Sequence, residues 1–255
     1  MISRFARNYL PRQSFLVILS MFYYISICNI KLLIGRKNMF LHEDIRCNDR
    51  NLGIINTSGH VWNDQRRTSL TILKDLGLTQ TSLGVSMAQE ADLVIDRLIE
   101  SENGIAVIDS TFNTAIINVL WQIVASKRFE LNHPETERMM YMINASFKVE
   151  FRKLQFLPNF LKKCLPLGEV DKYFFELKAV MKKLVKEHLE TIDYDNPRNF
   201  IDVYLKKMLT NSSLDEEHLV LICLDFFHAG SETTSTTLSW VWNDQISKKI
   251  YFSQT

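Results

Sequence analysis

"DFFHAGSETTSTTLSW" (residues 225–240) decides how the rest of the chain is read. An apolar run, Leu219 to Leu224, leads into it as a buried helix would. The stretch then places Gly230 and four threonines where strong helix formers are expected. A mid-helix Gly costs about 1 kcal/mol relative to Ala, and each Thr adds a smaller cost. In helical register Phe226, Ala229, Gly230, Thr233 and Thr237 share one face. Ala229 and Gly230 leave that face without bulk, so something large can approach the backbone. Thr233 can return its hydroxyl to the carbonyl of Ala229 one turn back, and such back-bonding bends helices. The expectation is a shallow notch lined by an alcohol, in a helix from about 214 to 242 that is bent or locally widened between Ala229 and Thr233. Glu232 stands beside the notch. His228 lies one turn before Glu232 and Asp225 three residues before His228, an order that suits a relay of protons. Spacing alone leaves a second reading open: a polar helix edge rich in Ser and Thr, with His228 a surface residue.

Working outward, the chain of 255 residues is long enough for one large domain or two small ones, with an ordinary apolar fraction of 46%. A net charge of +1 gives no reason to expect a nucleic-acid partner. Cys28, Cys47, Cys164 and Cys223 lie far apart, with no CxxC, and suggest neither a disulfide framework nor a metal site. With only 8 Gly and 5 Pro, the composition favours helices over a β-sandwich.

The N-terminus reads as a targeting segment over 1–35. "MISRFARNYLPRQS" carries Arg4, Arg7 and Arg12 and no acid, and "FLVILSMFYYISICNIKLLIG" (15–35) follows. Its strictly apolar part ends near Cys28, short of the roughly 20 residues that span a bilayer. Snorkelling by Lys31 would lengthen the span through Ile34. An uncleaved membrane anchor is the expectation, with a cleaved signal peptide and a buried core helix as alternatives. Residues 36–50 are a divergent connector.

Beyond residue 50 the pattern is helix after helix. Residues 58–77 open at Ser58 and close at Gly77. Residues 82–101 place Val85, Ala88, Leu93, Ile95 and Leu98 inward, with acids outside. Residues 111–126 are apolar nearly all round and therefore buried. Helices are also expected over 135–151, 169–191 and 196–208. "FLPNFLKKCLP" (156–166) reads as a membrane-touching loop or a partly buried connector. The fold class is mainly α.

A second constellation is "WNDQRR" (62–67). Trp62 and Arg66 are four apart and share a helical face. An aromatic plate beside a guanidinium suits an anionic group on a flat ligand, because Arg can grip a carboxylate through two bonds. A Trp packed on the core with arginines in solvent remains the alternative.

"AGSETTSTTL" (229–238) resembles the distal oxygen-groove motif of the cytochrome P-450 haem-thiolate monooxygenases, in the style of the animal family-2 group. "GIINTSGHVWNDQRRTSL" (53–70), "NVLWQIVASKRF" (118–129) and "VKEHLETIDYDNPRNFIDVYLKKM" (185–208) are similar to the family's other helices, in the same order. The resemblance covers about 51–240 and implies a partial helical domain over 51–242, followed by a divergent tail, 243–255. It implies that Trp62 and Arg66 contact haem propionates and that Ala229 and Gly230 face the distal side of the haem. Thr233 with Glu232 would manage dioxygen and its protons. It also implies a lipophilic small-molecule substrate, an NADPH-dependent reductase and the endoplasmic reticulum membrane. In the intact family a cysteine thiolate holds the iron.

The departures matter as much. The family's ligand loop, Phe-x-x-Gly followed by Cys, and its Glu-x-x-Arg helix would follow residue 240, and neither lies before Thr255. "ETER" (135–138) has the second spacing in the wrong region, and Cys223 is expected to be a core thiol. "VWNDQ" occurs twice, at 61–65 and 241–245, the second time where the resemblance stops. The expectation is a monooxygenase chain that lacks its thiolate and is inactive by itself. The alternative is a non-catalytic, membrane-tethered helical remnant that interacts with other proteins.

Overall fold

The computed structural model describes residues 52–55, 57–77, 81–100, 108–130, 133–147 and 169–254. The expected targeting segment, the connector at 36–50 and the stretch 156–166 lie outside the described residues. Among those described are seven α-helices and no strand. They are α1 Gly59–Asp75, α2 Thr81–Glu100, α3 Ile108–Ala125, α4 Pro134–Phe147, α5 Glu169–Thr191, α6 Phe200–Met208 and α7 Glu216–Gln254.

The helices begin and end where local chemistry directs. Ser58 holds the N-cap of α1 in extended geometry, although its side chain makes no capping bond. Gly77, with φ of 80°, follows the last turn in the left-handed conformation that favours glycine. Asn199 caps α6 by accepting the backbone N–H of Asp202 at 3.1 Å. Asp215 accepts the N–H of His218 at 2.8 Å at the start of α7. In α5, Phe174, Leu177, Met181, Leu184, Val185 and His188 recur at three- and four-residue steps and are buried. Lys182, Lys183 and Lys186 take the exposed face. Each such apolar side chain contributes about 1.5–3 kcal/mol when fully buried.

The core centres on α3, whose Ile116, Ile117, Leu120, Trp121 and Val124 are all buried. Its most extensive neighbour is α7. There the Trp121 ring lies 4.9 Å from that of Phe227, and the Phe129 ring lies 5.5 Å from Trp121. The α6 helix joins through Phe200, whose ring stands at 4.9 Å and 74° to Phe226. The α1 helix packs along α6 and along no other described helix to a comparable extent.

Three expectations need correction. The α7 helix runs as regular α-helix from Glu216 to Gln254, through Gly230 and well past 242. The local widening at 229–233 is therefore absent, because one Gly among back-bonding hydroxyls does not break the ladder and no Gly or Pro follows it before the C-terminus. The tail is accordingly part of the helix, and Trp242 is buried with its ring 6.3 Å from Phe112. On α2 the acids are not all outside. Glu90 is 1% exposed while Leu93 is 37% exposed, because Arg128, Gln122 and Asn118 supply donors to the buried carboxylate.

Candidate functional site

The hydroxyls of α7 turn back on their own helix. Ser231 donates to the Phe227 carbonyl at 2.6 Å, Thr233 to Ala229 at 2.6 Å, Ser235 to Glu232 at 3.1 Å and Thr237 to Thr233 at 2.7 Å. Thr233 is exposed, Ala229 and Glu232 are half-buried and Gly230 is buried. The bond expected between Thr233 and Ala229 thus exists. It lies beside two positions without a bulky side chain, and Glu232 adjoins it in sequence.

His228 departs from its expected surface position. It is half-buried, its Nδ1 lies 3.0 Å from the Leu224 carbonyl and its ring lies 6.3 Å from Phe174. A carbonyl only accepts, so that nitrogen carries the proton and donates. Asp225 has a role that spacing did not disclose: its Oδ2 accepts the backbone N–H groups of Ile54 and Ile55, at 2.6 and 3.0 Å. The N–H of Gly53 meets Nδ1 of His218 at 3.4 Å. The loop leading into α1 is therefore pinned to α7 by two of its side chains.

On α1 the guanidinium of Arg66 lies 5.3 Å from the Trp62 ring centroid. Both residues are half-buried, Arg67 is exposed, and no carboxylate among the described residues pairs with Arg66. A cation stacked on an aromatic face and free of an internal acid suits an incoming anion. The structure brings Trp62 and Arg66 together on α1, and Ala229, Gly230, Glu232 and Thr233 together on α7. It does not pack those two groups against each other, since α1 does not run along α7. The loop at 53–55 is what links the two helices.

Two buried polar clusters surround this frame. Asp202 on α6 receives Nε of Arg198 at 2.6 Å and lies 2.7 Å from Nδ1 of His188 on α5. Burial opposes its ionisation, yet the hydrogen bonds from Arg198 and His188 hold its carboxyl below the ordinary value. Gln65, 1% exposed, accepts the Tyr204 hydroxyl at 2.8 Å and donates to the Ser213 carbonyl at 3.2 Å. Cys223 is fully buried, and burial followed by the nearby Asp225 charge pushes its thiol up. It is a core thiol, as expected. "ETER" makes no motif of its own: its Arg138 reaches across to Glu176 on α5 at 3.0 Å.

The described residues thus form a mainly helical frame, with a stacked cation on one helix and a hydroxyl-rich, low-bulk stretch on another. The sequence profile described as Cytochrome P450 matches residues 9–242, and the chain belongs to that family. Cytochrome P450 2J3 of Rattus norvegicus is 33% identical over 200 residues, 74% of this chain and 39% of the relative. Cytochrome P450 2C28 of Mesocricetus auratus is 35% identical over 219 residues, 81% and 44% respectively. The farnesoate epoxidase of Bombyx mori is 25% identical over 240 residues, 88% and 48%. The chain therefore spans less than half the length of each of these relatives and resembles the animal family-2 group. Membership implies a haem, and Arg66, stacked on Trp62 with no carboxylate partner among the described residues, has the chemistry to receive a haem carboxylate.

No described helix is long and apolar enough to cross a membrane.

Proposed function

We propose that this chain forms the distal wall of the haem pocket of a monooxygenase that inserts one oxygen atom into a lipophilic small molecule. The observation that supports this best is the 2.6 Å bond from Thr233 to the Ala229 carbonyl beside Gly230, in a chain of the cytochrome P450 family. Bound haem supplies the oxygen chemistry itself. Trp62 and Arg66 hold the propionates, and Ala229 and Gly230 leave room for the ring. Thr233 fixes a water in the groove, and Glu232 supplies that water with protons, an arrangement that contributes about 10²–10⁴-fold in rate when the transfer group is well placed. Electrons come from an NADPH-dependent reductase, and residues 1–35 tether the chain to the endoplasmic reticulum membrane.

Cys223 is fully buried in the apolar core, where it packs among Leu219–Leu224 as a core thiol. That observation favours a second reading for the polypeptide acting alone: a non-catalytic, membrane-tethered helical protein.

Two preparations test the reading. The purified chain, mixed with ferric protoporphyrin IX, reduced and given carbon monoxide, is expected to show no thiolate-type absorption band. The same chain joined to the ligand-bearing C-terminal half of a family-2 relative is expected to show that band and to oxygenate a lipophilic probe. A chimera with neither the band nor turnover would leave the non-catalytic reading, and one whose turnover ignores Thr233→Ala and Arg66→Ala alike would overturn the roles given to these residues.

A further inference from the structure

Among the described helices α1 has one substantial neighbour, α6, and the interface contains a polar bridge. Gln65 is 1% exposed and Tyr204 0% exposed, so neither can rely on water. The Ser213 carbonyl is only an acceptor, so the group facing it at 3.2 Å must be the Gln65 amide nitrogen. The amide oxygen consequently faces Tyr204, whose hydroxyl donates to it at 2.8 Å. Burial, and then the charge of Asp215, push the Tyr204 phenol up, so it keeps the proton it donates. Both ends of one side chain are thus tied to different places, one on α6 and one on the turn after it.

A two-ended bridge controls rotation in a way that apolar packing does not. Ile72 and Ser69 share the buried face of α1 with Gln65, but an aliphatic contact tolerates sliding. Turning α1 by roughly 20° moves a side-chain tip about 5 Å from the axis by roughly 2 Å, enough to break both Gln65 bonds. Trp62 and Arg66 sit roughly a quarter turn round the helix from Gln65, given about 100° per residue. Any rotation that Gln65 resists is therefore a rotation of the stacked pair.

We propose that Gln65, clamped by Tyr204 and the Ser213 carbonyl, is a positioning residue that aims the Trp62–Arg66 pair at the carboxylates of a porphyrin. The inference rests on the haem-pocket reading above. It adds that the aim of the pair is set from behind, by a hydrogen-bonded amide that touches no ligand.

The test compares ferric protoporphyrin IX with its dimethyl ester, titrated into the full chain in detergent and read by absorbance. The two differ at the carboxylates alone, and adhesion to apolar helices favours the more apolar diester, so a preference for the diacid reports a carboxylate site and each variant is read against the unaltered chain. The unaltered chain is expected to prefer the diacid, and Arg66→Ala to abolish that preference. Tyr204→Phe is expected to lower the preference about three- to tenfold, the scale of one hydrogen bond, with diester affinity unchanged. Should Tyr204→Phe fold poorly, Gln65→Leu/Tyr204→Phe replaces the bridge by an apolar pair that keeps the interior dry. It is expected to fold and still to lack the preference. If Arg66→Ala abolishes the preference while the folded Tyr204 variants retain it, the positioning role is wrong and the pocket reading stands. An equal loss for both porphyrins reduces the bridge to a structural contact and also overturns the role. If Arg66→Ala keeps the preference, the pocket reading fails and this inference fails with it.

Discussion

The Oδ2 atom of Asp225 lies 2.6 Å from the backbone nitrogen of Ile54, 171 positions away in sequence. The same oxygen takes the N–H of Ile55, so one carboxylate satisfies two donors of a loop that has no regular ladder. Gly53 shows how closely the loop approaches. Its φ is +79°, and a Cβ there would lie 2.6 Å from that same oxygen. Asp225→Ala should therefore release the loop and leave α7 helical. Hydrogen exchange at Ile54 and Ile55 is expected to accelerate, with a stability loss of about 2 kcal/mol. Unchanged protection at both amides would show that the loop is held by its apolar side chains.

Gly53→Ala should be as damaging as Asp225→Ala, because it adds backbone strain to the collision. The pair should be non-additive: once Asp225 is Ala, the penalty of the added methyl falls to the strain of the left-handed conformation, about 1 kcal/mol, and its tight contact at 3.3 Å with the Leu221 Cβ. Chemical denaturation of the two single variants and the double variant measures the difference.

The buried carboxylate of Glu90 fastens α2 to α3 and to the segment after α3. Arg128 and Gln122 donate to one oxygen and Asn118 to the other, at 3.2 Å from Gln122 and 3.5 Å from Asn118. Removing one partner of such a pair leaves polar groups stranded, so Glu90→Ala is expected to cost about 3 kcal/mol. Glu90→Gln should cost less, because it keeps the shape and one acceptor. Equal midpoints for the two variants in a denaturant titration would contradict this account.

Acid should loosen the junction of α5 and α6. The Asp202 carboxyl is held below its ordinary value of 3.8, so its folded form binds a proton less readily than its unfolded form. The sign follows: this stabilisation is complete above the unfolded value and is lost as pH falls from about 4 through the lower folded value. Asp202→Asn should destabilise the chain by about 2–3 kcal/mol at neutral pH, the range for a pair whose Arg198 partner is partly solvated. It should also flatten the acid limb of a stability profile. A variant whose acid limb matches the parent would place the effect on another carboxylate.

Thr233→Ala separates the helical and chemical uses of the hydroxyl. Alanine favours a helix over threonine by about 0.5 kcal/mol, so the isolated chain should keep or gain thermal stability. In a thiolate-bearing chimera the same change should raise hydrogen peroxide released per dioxygen consumed and lower product, as a lost proton path would. Glu232→Gln should slow turnover with less peroxide. Parental ratios in Thr233→Ala would leave the hydroxyl with no part beyond the helix.

Much of this was readable from local pattern. The spacing of Phe174, Leu177, Met181, Leu184 and Val185 marks α5 within the residues observed, and the apolar α3 sequence announces its burial. The back-bond of Thr233 follows from its own helical register. What was not readable depends on partners distant in sequence. Gln65 meets Tyr204 across 139 positions, and nothing in "WNDQRR" marks its glutamine as interior. Glu90 looks like one more surface acid until Arg128 is folded against it from 38 positions away. The length of α7 escapes the motif for a different reason. Resemblance to a motif ended near residue 240, but a helix stops at a backbone signal, and no such signal follows.

The back-bonded hydroxyls of α7 give this edge of the helix a fixed hydrogen-bond polarity. Thr233 and Thr237 each direct their only hydrogen inward, to Ala229 and Thr233 respectively. Their outward faces are lone pairs. A guest can meet these oxygens only as a donor, so a water resting there points a hydrogen at the helix and turns its own lone pairs toward the opposite wall. In the proposed pocket dioxygen, which has no hydrogen to offer, would meet these two oxygens only through a third molecule.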